Sequence, residues 1–356
     1  MVVNNRYDKG KVSFCVLGYK HVKFLEDCIR SIWDIDYANK EIIAIDDGSN
    51  DGSVELLNKL KNESKCDFTV IAQENSGFIG LNFNRALEKA TGEYVSFISL
   101  DDFYDSREMT EVIKEIIDTP ETAFIACTKI QGVNQDTKDF VCIEPLKVDE
   151  LENPSIEDLS ELVFDNFCLF YIQGCIFRKE VVDAINGYDE DIFGDDIILQ
   201  TKIFNYLKIH KDYNFKFHRM ASVFYRQHEN NISKNGVKMM KFVSEYLERY
   251  WPDRGEPELF YNWYRDVMNS DNFMQLKRMN KKMEKGYYKI MEDTDFITRI
   301  FFQVYRDFMN NSDKQKLKDL KELYKDIRHK NTRMRLINFI LSVPFGISFL
   351  KRKREK

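Results

Sequence analysis

The chain has 356 residues, enough for two domains or for one large domain with an appendage. Hydrophobic residues make up 43% and charged residues 31%, a globular balance, while six prolines and fifteen glycines exclude collagen-like and low-complexity chains. The formal net charge of -6 argues against a protein built to coat nucleic acid, but residues 314–356 hold fourteen Lys/Arg against four Asp/Glu, so an acidic body carries a basic tail.

The first hundred residues alternate short apolar runs with helical stripes. Val12–Leu17, Glu41–Ile45, Phe68–Ala72 and Tyr94–Ile98 are predicted as buried strands, and Val22–Trp33, Asp51–Leu60 and Leu81–Lys89 as helices between them. That alternation predicts an α/β fold with a mostly parallel sheet and helices on both faces. Residues 105–170 are less regular, with helices near Met109–Ile117 and Ile156–Phe167 and a strand near Ala123–Lys129. A strand at Gly174–Phe177, a helix at Lys179–Ile185 and a turn at Asn186-Gly187 follow. Past Met240 the pattern is nearly all helical, which puts a domain boundary near 235–255. The expected division is a domain over 1–240, a helical region over 241–335 and a tail over 336–356.

Seven cysteines (15, 28, 66, 127, 142, 168 and 175) form no C-x-x-C pair and no zinc spacing, which suits reduced thiols in a reducing compartment. The first residues carry no secretory apolar core, and no run of about 18 apolar residues predicts a membrane-spanning helix. Leu336–Leu350 is apolar, broken by Pro344 and Gly346 and flanked by cations. It is expected either to sit at a membrane interface, its cations meeting anionic headgroups, or to pack on the body. The location expected from these features is cytoplasmic, peripheral on the inner membrane face.

A sheet of this kind binds ligands beyond the carboxyl ends of its strands. The segments there are Gly18–His21, Asp46–Asp51, Gln73–Gly77 and Ser99–Asp102. Asp101-Asp102 ends a strand as two adjacent carboxylates, which suits a hard divalent ion bridging a diphosphate, or a helix cap. Asp46-Asp47 precedes two glycines and could accept a hydrogen bond from a nucleobase N–H. Asp195-Asp196 opens a helical pattern, as a cap or as a general base. His228 lies in the polar run YRQHENNIS, as a ligand or as an ordinary surface or core histidine. No P-loop and no G-x-G-x-x-G is present.

Taken in order, these segments resemble the family 2 glycosyltransferases of the GT-A fold. VSFCVLGYKH is similar to the family's S-V-I-I-P-x-Y-N-H, and EIIAIDDGSNDGS to E-I-I-V-I-D-D-G-S-x-D-G-S. ENSGFIGLNFNRALEKATGEYVSFISLDD, QGCIFRKEVVDAINGYDEDIFGDDIILQTKI and YRQHENNIS complete five motifs over residues 11–235. The resemblance implies a GT-A nucleotide-binding fold with a nucleotide-sugar half at about 11–105, an acceptor half at about 106–235 and a helical region after it. It implies an inverting hexosyltransferase that uses Mn2+ or Mg2+ and a nucleoside-diphosphate sugar, with UDP- or dTDP-sugars expected. The implied acceptor is a saccharide or lipid-linked saccharide in bacterial capsule, O-antigen or wall polysaccharide synthesis.

By the same resemblance Leu17, Gly18 and Tyr19 would line the nucleoside pocket, with Asp46, Asp47, Asn75, Asn84 and Asp101 also binding the nucleotide. Asp102 is the expected metal ligand, with Asp101 and His228 beside it, and Asp195 or Asp196 the base. Arg226 would add positive charge. The sequence departs from the family at Leu17 (usually proline), Lys20 (asparagine), Ser99 (the first aspartate of D-x-D) and Asp195 (glutamate). The rival reading is a non-catalytic nucleotide-sugar or saccharide-binding module of the same fold.

Overall fold

The computed structural model describes residues 6–229, 231–311, 313–343 and 347. The chain forms two compact units, Met1–Asn231 and Ile232–Lys356. In the first, β1 (Asp8–Gly18), β2 (Lys40–Asp46), β3 (Asp67–Ala72) and β4 (Gly92–Ser99) alternate with α1 (Leu25–Trp33), α2 (Ser53–Glu63) and α3 (Ile79–Lys89). The short β5 (Phe103–Tyr104) leads into α4 (Ser106–Asp118), then β6 (Thr122–Asn134), β7 (Phe140–Pro145) and α5 (Ile156–Asn166). β8 (Ile176–Arg178), α6 (Lys179–Ala184), α7 (Asp196–Ile209) and β9 (Asn214–Gln227) complete it.

The nine strands form one sheet in the order β3-β2-β1-β4-β8-β6-β9-β5, with β7 on β6. β1 runs parallel to β2 and β4, as β2 does to β3 and β6 to β9, while β8, β5 and β7 pair antiparallel. Both faces of β1 are covered: Val12, Phe14 and Val16 join one apolar cluster, and Ser13, Cys15 and Leu17 are buried on the other side. Such a strand reads as a continuous apolar run because neither face meets water.

Register decides where the strands stop. Gly18 pairs with Asp46, Asp46 with Ala72, and Leu17 with both Ile45 and Ser99. Four strands therefore end level, and the segments that follow them share one rim. At Gly48, in the turn after β2, φ is +81°, and a Cβ there would lie 2.6 Å from the Asn75 backbone nitrogen. Only glycine lets that turn press against the turn after β3.

The second unit is helical: α8 (Gly236–Tyr250), α9 (Glu258–Val267), α10 (Phe273–Lys277), α11 (Lys281–Ile290), α12 (Thr294–Asn311), α13 (Lys314–Asp326) and α14 (Thr332–Ser342). The two units divide between Asn231 and Ile232. Trp251 caps the end of α8, and Pro252 opens the connection to α9. The tail expected over 336–356 is described only to Val343 and at Ile347, and the rest lies outside the described residues. No helix among the described residues is long and apolar enough to cross a membrane.

Candidate active site

The turn after β2 is built around Asp47. Its Oδ1 accepts from Gln73 Nε2 (3.0 Å) and the Ser76 N–H (2.8 Å), and its Oδ2 accepts from the Gly77 N–H (3.1 Å). Burial pushes its carboxyl up, but these donors outweigh burial and hold it below the ordinary aspartate value. Its N–H donates to Gly18 O (2.9 Å), and Asn75 Nδ2 donates to its carbonyl (2.7 Å). Gly18, Asp47 and Asn75 are thus brought together, with Asp47 turned onto the protein. Asp46 holds the turn through the Ser49 N–H (2.8 Å), while its buried Oδ2 has no hydrogen-bond partner.

Leu17 is buried and Tyr19 is 43% exposed at the rim, with Lys20 Nζ 5.0 Å from its ring centre. Lys20 has φ +60°, a conformation that asparagine tolerates better than lysine, and its N–H donates to Ser49 Oγ (2.7 Å). Asn84 is engaged on the other side of α3. It accepts from the Tyr188 N–H and donates to Tyr188 O and Glu190 Oε1, tying α3 to the segment before α7.

After β4 the two aspartates diverge. Asp101 Oδ2 lies 2.9 Å from His228 Nε2 and 3.7 Å from His21 Nε2, and its Oδ1 is a buried oxygen without a hydrogen-bond partner. Burial works against its charge, but the two imidazoles and Ser99 hold its pKa down to about 2. Asp102 is 2% exposed, and its Oδ1 accepts from the Arg226 N–H (2.7 Å). Burial, then the charge of Asp101, pushes it well above the ordinary aspartate value. Asp101 keeps a buried oxygen without a hydrogen-bond partner, while Asp102, expected as the leading metal ligand, uses its Oδ1 to hold the end of β9.

Arg226 holds this region together and is 1% exposed. Its Nε donates to Asp101 O (2.7 Å), one terminal nitrogen to Gln135 O (2.9 Å) and the other to Asp27 Oδ2 (2.9 Å). The guanidinium lies 4.9 Å from the Phe24 ring centre and 5.2 Å from that of Phe103. The charge expected here is therefore enclosed. Phe24 also stacks on His228 at 5.3 Å.

Asp195 caps α7, its Oδ1 accepting from the Asp196 N–H (2.9 Å), and Asp196 Oδ1 accepts from the Ile172 N–H (2.6 Å). Burial raises both carboxyls, Asp196 further because Asp195 adds a like charge. The next residue, Gln173, accepts from the Ser99 N–H (3.1 Å), two residues before Asp101. One short segment thus ties the pair on α7 to the end of β4. His21, Asp27 and Gln173 were not singled out from sequence: His21 is separated from His228 by more than two hundred residues, and no local pattern joins them.

A hard divalent cation takes mainly oxygen ligands, and magnesium keeps several waters while bridging one or two carboxylates to substrate phosphates. Asp101, with an unpartnered buried oxygen beside His228, fits that donor set. Among the described residues no group of three or more His, Cys, Asp or Glu stands ready to hold a metal, so substrate or water oxygens would complete the shell.

Residues 13–185 match the model of Glycosyl transferase family 2. Over those residues, just under half of the chain, it carries a glycosyltransferase domain of that family, and the chain has the GT-A fold. It is 23% identical over 257 residues to a glycosyltransferase of Nostoc sp. (alr2836), covering 67% of this chain and 76% of that one. It is 23% identical over 199 residues to the poly-β-1,6-N-acetyl-D-glucosamine synthase of Staphylococcus aureus, covering 54% and 45%. Among solved structures it is similar to S. aureus TarS 1–349 in complex with UDP-GlcNAc, with a TM-score of 0.53, 16% identity and coverage of 90% and 93%. It is also similar to a mannosyltransferase of Pyrobaculum calidifontis in complex with GDP-Man and Mn2+, with a TM-score of 0.51, 12% identity and coverage of 97% and 88%.

Proposed function

We propose that this enzyme is an inverting, metal-dependent hexosyltransferase. It would move a sugar from a nucleoside diphosphate, UDP or dTDP, to a saccharide or lipid-linked saccharide of a bacterial surface polysaccharide. The observation that carries this reading is the Ile172-Gln173 link, which ties the Asp196 carboxylate to the strand end bearing Asp101. The solved relatives in complex with UDP-GlcNAc and GDP-Man support a nucleotide-sugar donor, and the polymer synthase among the relatives supports a polysaccharide product.

Asp101 and His228 would hold Mn2+ or Mg2+, which supplies positive charge to the diphosphate leaving group. The base would rest near Tyr19, with the turns of Asp46, Asp47 and Asn75 shaping its pocket. Asp196, raised by burial and by Asp195, takes the proton of the acceptor hydroxyl. The acceptor oxygen bonds to the anomeric carbon as the bond to the diphosphate oxygen breaks, and its electron pair leaves with the diphosphate. One displacement inverts the configuration.

The basic tail supports peripheral attachment to the inner membrane face. In α14, Met334, Ile337 and Leu341 are buried, while Leu336 (56% exposed) and Phe339 (65% exposed) face outward. That exposed apolar pair, with cations on both sides in sequence, matches an anionic lipid surface.

The test is release of nucleoside diphosphate from UDP-, dTDP- and GDP-sugars, with and without Mn2+, with saccharide acceptors present. One donor is expected to turn over only with the metal, and Asp196→Asn is expected to abolish transfer while leaving donor binding intact. Metal-independent turnover, or full activity of Asp196→Asn, overturns the mechanism.

A further inference from the structure

We propose that Tyr188 is a positioning residue for the Asp195–Asp196 pair, its hydroxyl donating to their ionised carboxylate directly or through one water. The inference rests on the reading of that pair as the base. Tyr188 lies seven residues before Asp195, in the segment GYDEDIFGDD. Its ring is locked in the core of the first unit, 5.4 Å from the centre of Phe83 on α3 and 5.2 Å from Phe97 on β4, perpendicular to the latter. The residue is 2% exposed, and its hydroxyl has no hydrogen-bond partner.

A buried hydroxyl without a partner is costly, and phenylalanine would fill the same space without that cost. Such an atom calls for an acceptor that gains importance in another state of the molecule. Burial, and then the charges of Asp195 and Asp196, pushes the hydroxyl well above the ordinary tyrosine value, with Cys15 on β1 and Cys175 before β8 as the other titratable neighbours. On its own segment, Asp189 is paired with Lys202, and Glu190 is bonded by Asn84.

The pair has the complementary deficit. Each carboxylate accepts one backbone N–H, from Asp196 itself and from Ile172, and burial disfavours charge on both. Around Asp196 stand Asp195 and Cys127 on β6, with Cys168 and Tyr171 also within its field. None of these is a cation. A neutral donor from Tyr188 is the contribution that lets one carboxylate ionise at this place without a salt bridge.

Tyr188→Phe removes the hydroxyl and keeps the ring. In the full chain, thermal unfolding from pH 4 to pH 8 separates the alternatives. Where folded carboxyls titrate above their unfolded value, stability is lost as pH climbs through the folded value, and a donor to the ionised form offsets part of that loss. The variant is therefore expected to match or exceed the wild type at pH 4 and to fall below it by about 4 °C at pH 8. The divergence should vanish in an Asp195→Asn, Asp196→Asn background. A melting-temperature difference that stays flat across pH overturns the proposal.

Turnover gives a second reading, with UDP-GlcNAc, UDP-glucose, UDP-galactose, dTDP-rhamnose and GDP-mannose as donors in Mn2+. The acid limb of kcat/KM should move up by about one pH unit with donor KM unchanged. An unshifted limb overturns the proposal too. If the wild type uses none of these donors, the proposed donor class fails, and the melting series still decides whether Tyr188 serves the pair.

Discussion

Replacing Arg226 with methionine tests whether the buried guanidinium organises the end of β4. The substitution keeps a long apolar stem between Phe24 and Phe103 and removes three bonds, to Asp101 O, Gln135 O and Asp27 Oδ2. Breaking a buried ion pair from one side costs about 3–5 kcal/mol when the partner is stranded. Asp27 is not stranded: Lys138 Nζ lies 2.6 Å from its Oδ1, and its side chain is 24% exposed. The loss should therefore sit near the low end, about 3 kcal/mol, made up largely of the two carbonyls left without a donor. At about 2–4 °C per kcal/mol for a unit of this size, the melting temperature should fall by about 6–12 °C. Arg226→Lys can serve one acceptor and should recover less than half. The assay is thermal unfolding with and without Mn2+ and UDP, and the metal-dependent rise should shrink as Asp101 loses its main-chain anchor. A variant within about 2 °C of the wild type, with an undiminished ligand response, would refute the reasoning.

Asp101→Asn should weaken Mn2+ binding at least tenfold, measured by the free-Mn2+ resonance signal in the presence of UDP. Asp102→Asn should largely keep it, because an amide oxygen can still accept from the Arg226 N–H. Gly48→Ala should destabilise the first unit by about 2–4 kcal/mol in a denaturant melt, through positive-φ strain and the 2.6 Å clash with the Asn75 nitrogen. In the second unit, burial pushes the Glu256 carboxyl up, but hydrogen bonds from Lys285, Tyr261 and Lys282 hold its pKa at about 2. Its contribution is fully present above pH ~4.5 and is lost as pH falls toward 2, so the stability gap between wild type and Glu256→Gln should close across that window in acid unfolding.

The elements legible in the sequence are those whose burial leaves a local pattern. Val12–Leu17 and Glu41–Ile45 are apolar apart from Ser13 and Glu41, which hydrogen-bond each other, because both faces of β1 and β2 are covered, and the structure extends each by only a few residues. β7 and β9 were not read. β7 exposes Phe140, Val141 and Ile143 on an edge, which breaks the expected alternation, and β9 mixes Phe215 and Phe217 with Lys216, His218 and Arg219. Their strand character comes from pairing with the long β6, a partner more than eighty residues away in the case of β9.

For the site, the carboxylates after β2, β4 and before α7 could be picked out as doublets, because adjacent like charges beside buried strands demand an explanation. What each member does could not. Asp101 and Asp102 are chemically identical neighbours, and their difference arises because one side chain faces His228 and the other meets the Arg226 N–H. The sequence by itself determined the alternation and the order of the motifs that carry the family resemblance, since periodicity and spacing are properties of the chain. Tertiary structure alone decided which oxygen is left uncommitted, which arginine is enclosed and which tyrosine hydroxyl is unpaired. Hydrogen-bond saturation and desolvation depend on neighbours that folding brings from distant parts of the chain.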